Sequence, residues 1–272
     1  MNTYPYISID KNGYLIPIAS TSTVRPETLK TALALIEEID KECDKNLHSI
    51  ILRGSAACGM EIPKHSDLDI MIFPKEYSKK QKGNIEKLAL RLSQVYERTY
   101  ALIDLSYIDY NELSDMEKNI RMILNAKLTG ITLYGEDIVS VIPQIFFDIN
   151  LAGRIARQAI RETKENINVL KKGMEHFYYM GRKRDIKFLC IWMMRVICRG
   201  LIAPVMTHRK VFTLNVETSG KEYISLFPEH EDLITSFLEW EKFPLSNKEE
   251  ITISVDRFMP QYEKVCLQCG IV

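Results

Sequence analysis

The chain has 272 residues and a mass of 31.5 kDa, and 46% of its residues are hydrophobic, so it can bury a sizeable core in one or two domains. Its 36 Lys and Arg residues balance 36 Asp and Glu residues, and the absence of a basic excess argues against a protein that tracks the backbone of a long nucleic acid. The N-terminus has no basic flank followed by an apolar segment, and no run of about 18 or more apolar residues occurs, so we expect a cytoplasmic protein without a membrane partner.

The first half of the chain alternates helical and extended patterns. Residues 1–24 contain Pro5 and Pro17 and predict an extended arm, and Pro26 marks the start of the first helix. Hydrophobic periodicity predicts helices over 28–44, 75–99 and 113–127, and strands over 47–52, 68–73, 100–108 and 129–137. This order predicts a small mixed sheet with helices packed on it.

Three acidic residues interrupt the predicted strands. Asp67 and Asp69 stand two residues apart, so their side chains share one face of a strand, and Asp104 interrupts a later apolar strand. Unpaired carboxylates inside a sheet are costly, and a divalent cation removes that cost. Mg²⁺ takes one or two protein carboxylates together with waters and phosphate oxygens. The three acids therefore favour a metal site over a solvated edge strand.

A Gly-Ser turn precedes the acidic strand. Gly54 and Ser55 follow directly on a predicted strand and Arg53, and backbone N–H groups in such a turn can hold phosphate. This turn and the three acids resemble the motifs of the nucleotidyltransferase superfamily, the DNA polymerase β-like enzymes. The chain resembles in particular the small bacterial aminoglycoside-nucleotidyltransferase-like enzymes, and the resemblance covers residues 25–142.

The resemblance implies the fold and the domain organisation. The fold class expected is α/β (α+β), with a small mixed sheet forming the nucleotidyltransferase core. An N-terminal arm over 1–24 would precede a catalytic domain over 25–142, and a C-terminal helical domain would occupy 143–272.

The resemblance also implies the roles of the acids. Asp67, Asp69 and Asp104 would be the catalytic residues and would ligate two Mg²⁺ ions. The general base is either Asp104 or another acid, of which Glu136 is the best candidate.

The turn itself is implied to bind the nucleotide. Gly54, Ser55 and Arg53 would contact the triphosphate. Many relatives carry a basic residue just after the Gly-Ser pair, where this chain has Ala56 and Ala57. Arg53 either compensates for this departure or points away.

From residue 148 onward the pattern changes to long helices. They are predicted over 151–172, 182–202, 229–241 and 248–267, and together they form a C-terminal helical bundle. On the second of them Lys187 and Arg195 lie on a basic face with Arg184 and Arg199, and we predict that Lys187 and Arg195 bind the nucleotide's phosphates. The solvated face of an amphipathic helix explains the same pattern equally well.

The resemblance implies Mg²⁺-dependent transfer of a nucleoside monophosphate with release of pyrophosphate. The donor would be ATP, which would supply AMP, or another NTP, which would supply its own monophosphate. The acceptor would be a hydroxyl of a small molecule such as an aminoglycoside-type antibiotic, which would make the protein an antibiotic-resistance enzyme. The neutral charge favours a small acceptor over tRNA. Two alternatives stay open, a toxin-like nucleotidyltransferase that modifies tRNA or protein and a non-catalytic nucleotide-binding module. The sequence leaves the oligomeric state open.

Overall fold

The computed structural model describes residues 6–172, 176–179 and 182–272, which form two compact units. The first, Ile16–Ile145, contains a four-stranded sheet and is called the sheet unit. The second joins the segment that ends at Leu15 to Phe146–Val272 and is called the helical unit. The domain bounds predicted from the sequence, 24/25 and 142/143, are not the same as the bounds of these units, and they stay a prediction.

The sheet unit is built on four strands in the order β3-β2-β1-β4. Strand β1 is antiparallel to β2 and β4, and β2 is parallel to β3. The small mixed sheet predicted from the sequence is therefore confirmed. The bounds are β1 (Leu47–Arg53), β2 (Leu68–Pro74), β3 (Ile103–Tyr107) and β4 (Ile131–Gly135).

Helices cover both faces of this sheet. They are α1 (Pro26–Glu42), α2 (Gly54–Ala57), α3 (Lys79–Val95), α4 (Met116–Thr129) and α5 (Ile138–Val141), with a 3₁₀ turn at Tyr110–Ser114. Leu35 of α1 and Ile85 of α3 are fully buried in one core with Leu52 and Ile70 of the sheet. Gly130, directly after α4, lies so close to Ile51 on the opposite face that an added Cβ would stand 2.9 Å from its Cγ2.

The helical unit contains six α-helices among its described residues, together with a two-stranded hairpin. The elements are α6 (Ile149–Lys171), β5 (His176–Tyr179), β6 (Arg182–Asp185), α7 (Ile186–Gly200), α8 (Ile202–His208), α9 (Val216–Ile224), α10 (Glu231–Lys242) and α11 (Lys248–Gln268). A buried cluster of aromatic rings from α9, α10 and α11 forms part of its core, with Tyr223, Phe237, Phe258 and Tyr262 at its centre. The predicted C-terminal helical region is confirmed.

The prediction of one helix over 182–202 was wrong at its start. Residues Arg182–Asp185 form a strand, and the Asp185 side chain accepts a hydrogen bond of 2.9 Å from the backbone N–H of Phe188. This N-cap starts the helix at Ile186, because a capping carboxylate satisfies an N–H that has no partner in the first turn. Arg184 therefore precedes the helix and does not belong to its basic face.

One apolar stretch in the helical unit, Ile186–His208, meets the length and hydropathy of a membrane span. However, 72% of its apolar window is buried inside the protein, as in the core helix of a globular protein. Length and composition alone are weak evidence for a membrane span here.

Candidate active site

Three of the predicted site residues are direct neighbours across three strands. In the register of the sheet, Arg53 of β1 pairs with Asp69 of β2, and Asp69 pairs with Asp104 of β3. Paired residues point to the same face of a sheet. The alternation that puts Leu52, Ile70 and Leu105 in the α1/α3 core thus puts this row on the opposite face.

The side chains in this row form an ion-paired group. Nη2 of Arg53 lies 3.2 Å from Oδ1 of Asp69 and 3.6 Å from Oδ2 of Asp104. All three side chains are about one-fifth exposed, at 19%, 21% and 20% respectively. Of the two alternatives for Arg53, the structure supports a side chain directed toward the acids.

Gly54 brings the turn against the acidic strand. Its φ is +75°, and a Cβ added to it would stand 2.9 Å from Oδ2 of Asp69. Only glycine adopts this backbone region without strain, and only a residue without a Cβ leaves room for the carboxylate. The carboxylate of Asp69 therefore has one oxygen toward Arg53 and the other toward the Cα of Gly54.

A residue that the sequence analysis did not identify holds the turn in place. The Gly54 N–H donates a 3.2 Å hydrogen bond to Oγ1 of Thr129, whose hydroxyl donates to the carbonyl of Asn125 at 2.7 Å. Thr129 is buried at the end of α4, although the sequence predicted it as the start of a strand. Because the Gly54 N–H is engaged, a phosphate cradle at this turn depends on the N–H groups that follow it.

Gly54 begins the short helix α2, in which Ser55 is partly exposed. Ala56 and Ala57 are fully buried in the α1/α3 core. A basic side chain at either position would enter an apolar core. Burial raises the pKa of the nearby Cys58 thiol to about 11, so this cysteine stays protonated near neutral pH.

Asp67 and Glu136 take different places relative to the row. Asp67 is partly exposed and immediately precedes β2. Glu136 follows Gly135, which pairs with Ser49, and its carboxylate lies 3.4 Å from Nε2 of His48. Ser49 is four residues from Arg53, or roughly 13 Å along the strand. Glu136 is therefore at the far end of β1 and is poorly placed as a general base for the row.

The two phosphate ligands predicted on α7 belong to the helical unit. Lys187 is exposed in the first turn of α7. Nε of Arg195 lies 2.7 Å from Oε1 of Glu241 on α10, so its charge is already paired. Their role in nucleotide binding stays a prediction.

The acids fit a magnesium site in chemistry, although the described residues contain no preformed cluster of three or more metal-ligating side chains. Carboxylate oxygens on adjacent strands are hard ligands of the kind Mg²⁺ requires. The row brings Asp69 and Asp104 into register, and Asp67 precedes Asp69 by two residues. The assignment of these three residues as metal ligands stays a prediction.

Comparison with known proteins supports the fold. The chain is similar to the solved structure of the spectinomycin adenyltransferase AAD(9) from Enterococcus faecialis, which was determined with ATP and spectinomycin. The TM-score is 0.54 at 15% sequence identity, and the likeness covers 86% of this chain and 99% of that chain. No model of a known protein family matches the sequence, and no curated protein matches it. The chain thus has a nucleotidyltransferase fold with a helical C-terminal region.

Proposed function

We propose that this protein is a nucleotidyltransferase that transfers AMP from ATP to a hydroxyl of a small molecule, such as an aminoglycoside-type antibiotic. The observation that carries the proposal is the row of Arg53, Asp69 and Asp104 beside the Gly54 turn. The fold shared with an adenyltransferase determined with ATP and spectinomycin supports both the donor and the class of acceptor. The cytoplasm, where ATP is available, is the proposed location.

Asp67, Asp69 and Asp104 would hold Mg²⁺ in this enzyme. The ion they hold would supply positive charge that offsets the charge of the triphosphate and makes the acceptor hydroxyl more acidic. The residues of the turn act on the same substrate. Gly54 places the backbone against Asp69, and Ser55 with the N–H groups of α2 would position the phosphates.

Asp104 is the proposed general base, because Glu136 lies at the far end of β1. Asp104 would accept the proton of the acceptor hydroxyl while the hydroxyl oxygen forms a bond to the α-phosphorus. The bond from that phosphorus to the bridging oxygen breaks, and pyrophosphate leaves. Lys187 and Arg195 of α7 stay the proposed phosphate ligands of the helical unit, and Arg195 is already paired with Glu241.

The acceptor is a small molecule in this proposal for two reasons. The chain has no net charge with which to attract a polyanion such as tRNA, and the AAD(9) structure was determined with spectinomycin. A toxin-like enzyme that modifies tRNA or protein would share the row of acids but not this acceptor. A non-catalytic nucleotide-binding module would bind ATP without releasing pyrophosphate.

A pyrophosphate-release assay tests these possibilities together. The wild-type protein is incubated with Mg²⁺ and each NTP in turn, against a panel of aminoglycosides, spectinomycin and bulk tRNA. We expect release with ATP and at least one small acceptor. Pyrophosphate release with tRNA alone would overturn the proposal of a small-molecule acceptor. ATP binding without pyrophosphate release under any condition would overturn the proposal that the protein is an enzyme.

Variants of the acids connect the activity to the site. We expect Asp69→Asn and Asp104→Asn to lower kcat/KM by at least about 100-fold, or roughly 3 kcal/mol of transition-state stabilisation, because an amide fills the space without the charge. The matched control is Glu136→Gln, which removes an exposed carboxylate of the same unit at the far end of β1 and should retain activity. Near-wild-type turnover by Asp69→Asn would refute the proposed site.

A further inference from the structure

The guanidinium of Arg53 occupies the position between the two acids that face each other across β2 and β3. A single nitrogen, Nη2, lies 3.2 Å from Oδ1 of Asp69 and 3.6 Å from Oδ2 of Asp104. We call this arrangement the Arg53 bridge. Arg53 is 19% exposed and stands in register with Asp69 at the end of β1, so backbone pairing holds it beside the acids.

The Arg53 bridge stabilises the two acids against each other. Two carboxylates on neighbouring strands repel each other, and an arginine between them offsets that repulsion at any pH at which the protein is folded, because guanidinium stays protonated. A divalent cation on the same carboxylates would lie next to this positive charge and be repelled by it. The Arg53 bridge and the metal therefore compete for Asp69 and Asp104.

An incoming nucleotide offers Arg53 another partner. Guanidinium binds phosphate through paired hydrogen bonds, and Arg53 directly precedes the Gly54-Ser55 turn. Between Arg53 and Lys64 the sequence has no other basic residue, and Ala56 and Ala57 are buried in the core. Arg53 is thus the basic side chain of this turn that a triphosphate would meet.

We propose that Arg53 is a positioning residue that keeps the metal site closed until a nucleotide triphosphate draws the guanidinium away from Asp69 and Asp104. Metal and nucleotide then bind cooperatively, because each favours the state in which the Arg53 bridge is broken. This inference rests on the proposed function for the identity of the nucleotide.

The test measures Mn²⁺ binding directly, by the electron paramagnetic resonance signal of free Mn²⁺, without and with a non-hydrolysable ATP analogue. The variants are Arg53→Met, which keeps an apolar stem of similar length, and Arg53→Gln. The second variant keeps the test possible if Arg53→Met does not fold. The control is Arg91→Met, which removes an arginine of α3 that is paired with Glu38 at 3.0 Å in the same unit. Circular dichroism confirms that each variant is folded.

Without nucleotide, Arg53→Met should bind Mn²⁺ about tenfold more tightly than the wild type, a factor within the usual range for coupling between two ligands. The ATP analogue should tighten Mn²⁺ binding strongly in the wild type and Arg91→Met but little in Arg53→Met. Arg53→Met should also raise the KM for ATP. Folded Arg53 variants that bind Mn²⁺ no more tightly than the wild type would overturn the proposal.

The same measurements separate this inference from the proposed function. If the Arg53 variants bind Mn²⁺ more tightly but neither they nor the wild type release pyrophosphate, the proposed role of Arg53 is supported and the proposed nucleotidyltransferase activity is refuted. If the wild type releases pyrophosphate but Arg53→Met leaves the affinity for Mn²⁺ unchanged, the proposed nucleotidyltransferase activity is supported and the proposed role of Arg53 is refuted.

Discussion

Gly54 combines two requirements that no other residue type meets. Its φ of +75° is strained for a residue with a Cβ, at a cost of about 1–3 kcal/mol, and that Cβ would lie 2.9 Å from Oδ2 of Asp69. We expect Gly54→Ala to displace the carboxylate of Asp69 and lower kcat/KM roughly 100-fold, because a displacement of about 1 Å at a reacting group has an effect of this size. Steady-state kinetics together with a urea unfolding curve measure the two effects.

Two other glycines separate these effects. An alanine Cβ at Gly83 in α3 meets nothing within 4 Å, so Gly83→Ala should retain both activity and stability. Gly135 also has a φ of +75°, but its Cβ would collide with the backbone of His48, far from Asp69. Gly135→Ala should therefore lose stability more than Gly54→Ala does. Full activity of folded Gly54→Ala would contradict the role assigned to the turn.

At the scale of elements, a hydroxyl at the end of α4 is hydrogen-bonded to Gly54, the first residue of α2. Oγ1 of Thr129 accepts from the Gly54 N–H at 3.2 Å and donates to the Asn125 carbonyl at 2.7 Å. We expect Thr129→Val, which keeps the shape, to lower the free energy of unfolding by about 1 kcal/mol, since the partly buried N–H of Gly54 loses its acceptor. Urea denaturation measures this change.

Thr129→Ser is the control, because it retains the hydroxyl and should keep both hydrogen bonds at a smaller cost in packing. If Thr129→Val were as stable as Thr129→Ser, the hydroxyl would not hold the turn. Retained stability with lost activity would instead indicate that the Gly54 N–H serves the substrate.

The elements differ in how far the sequence determines them. Strand alternation predicted that Asp69 lies on the face opposite Leu52 and Ile70, because successive side chains of a strand point to opposite faces whatever the rest of the fold. Thr129 was assigned to a strand, since a β-branched residue before Gly130 fits a strand start as well as a helix end. Its partner Gly54 is 75 residues away, and such a contact has no local pattern.

The same limit applies to the helical unit. Helix α9 was not predicted, because its nine residues include Gly220 and too few turns to establish a helical period. The start of α7 was misplaced because the basic residues Arg182, Lys183 and Arg184 directly precede a helix with a basic face, and only the Asp185 cap marks the true boundary. Gly54 and Asp69 lie in short motifs that a sequence displays, whereas the register of Asp69 with Asp104 is known only from the sheet. The roles of these residues stay a prediction.

At the scale of the whole molecule, each unit has its own core, and sequence periodicity does not reveal which helices share one. The α1/α3 core consists of residues of the sheet unit alone. The helical unit instead packs aromatic rings around a buried histidine. His230 is 6% exposed, and its Nδ1 lies 2.8 Å from the hydroxyl of Tyr223. Titration of this histidine therefore affects the stability of the helical unit.

Desolvation lowers the pKa of His230 below its ordinary value of 6.5, with Glu229 opposing the shift. The unfolded chain then takes up the proton more readily than the folded one, so stability is present above pH 6.5 and is lost as the pH falls through the lowered pKa. We expect the wild type to lose more stability than His230→Gln between about pH 7.5 and about pH 5.5, measured by urea midpoints. Tyr223→Phe, which retains the titrating ring, should keep the wild-type pH dependence from a lower starting stability. Equal pH dependence of the wild type and His230→Gln would show that the buried imidazole does not control acid stability.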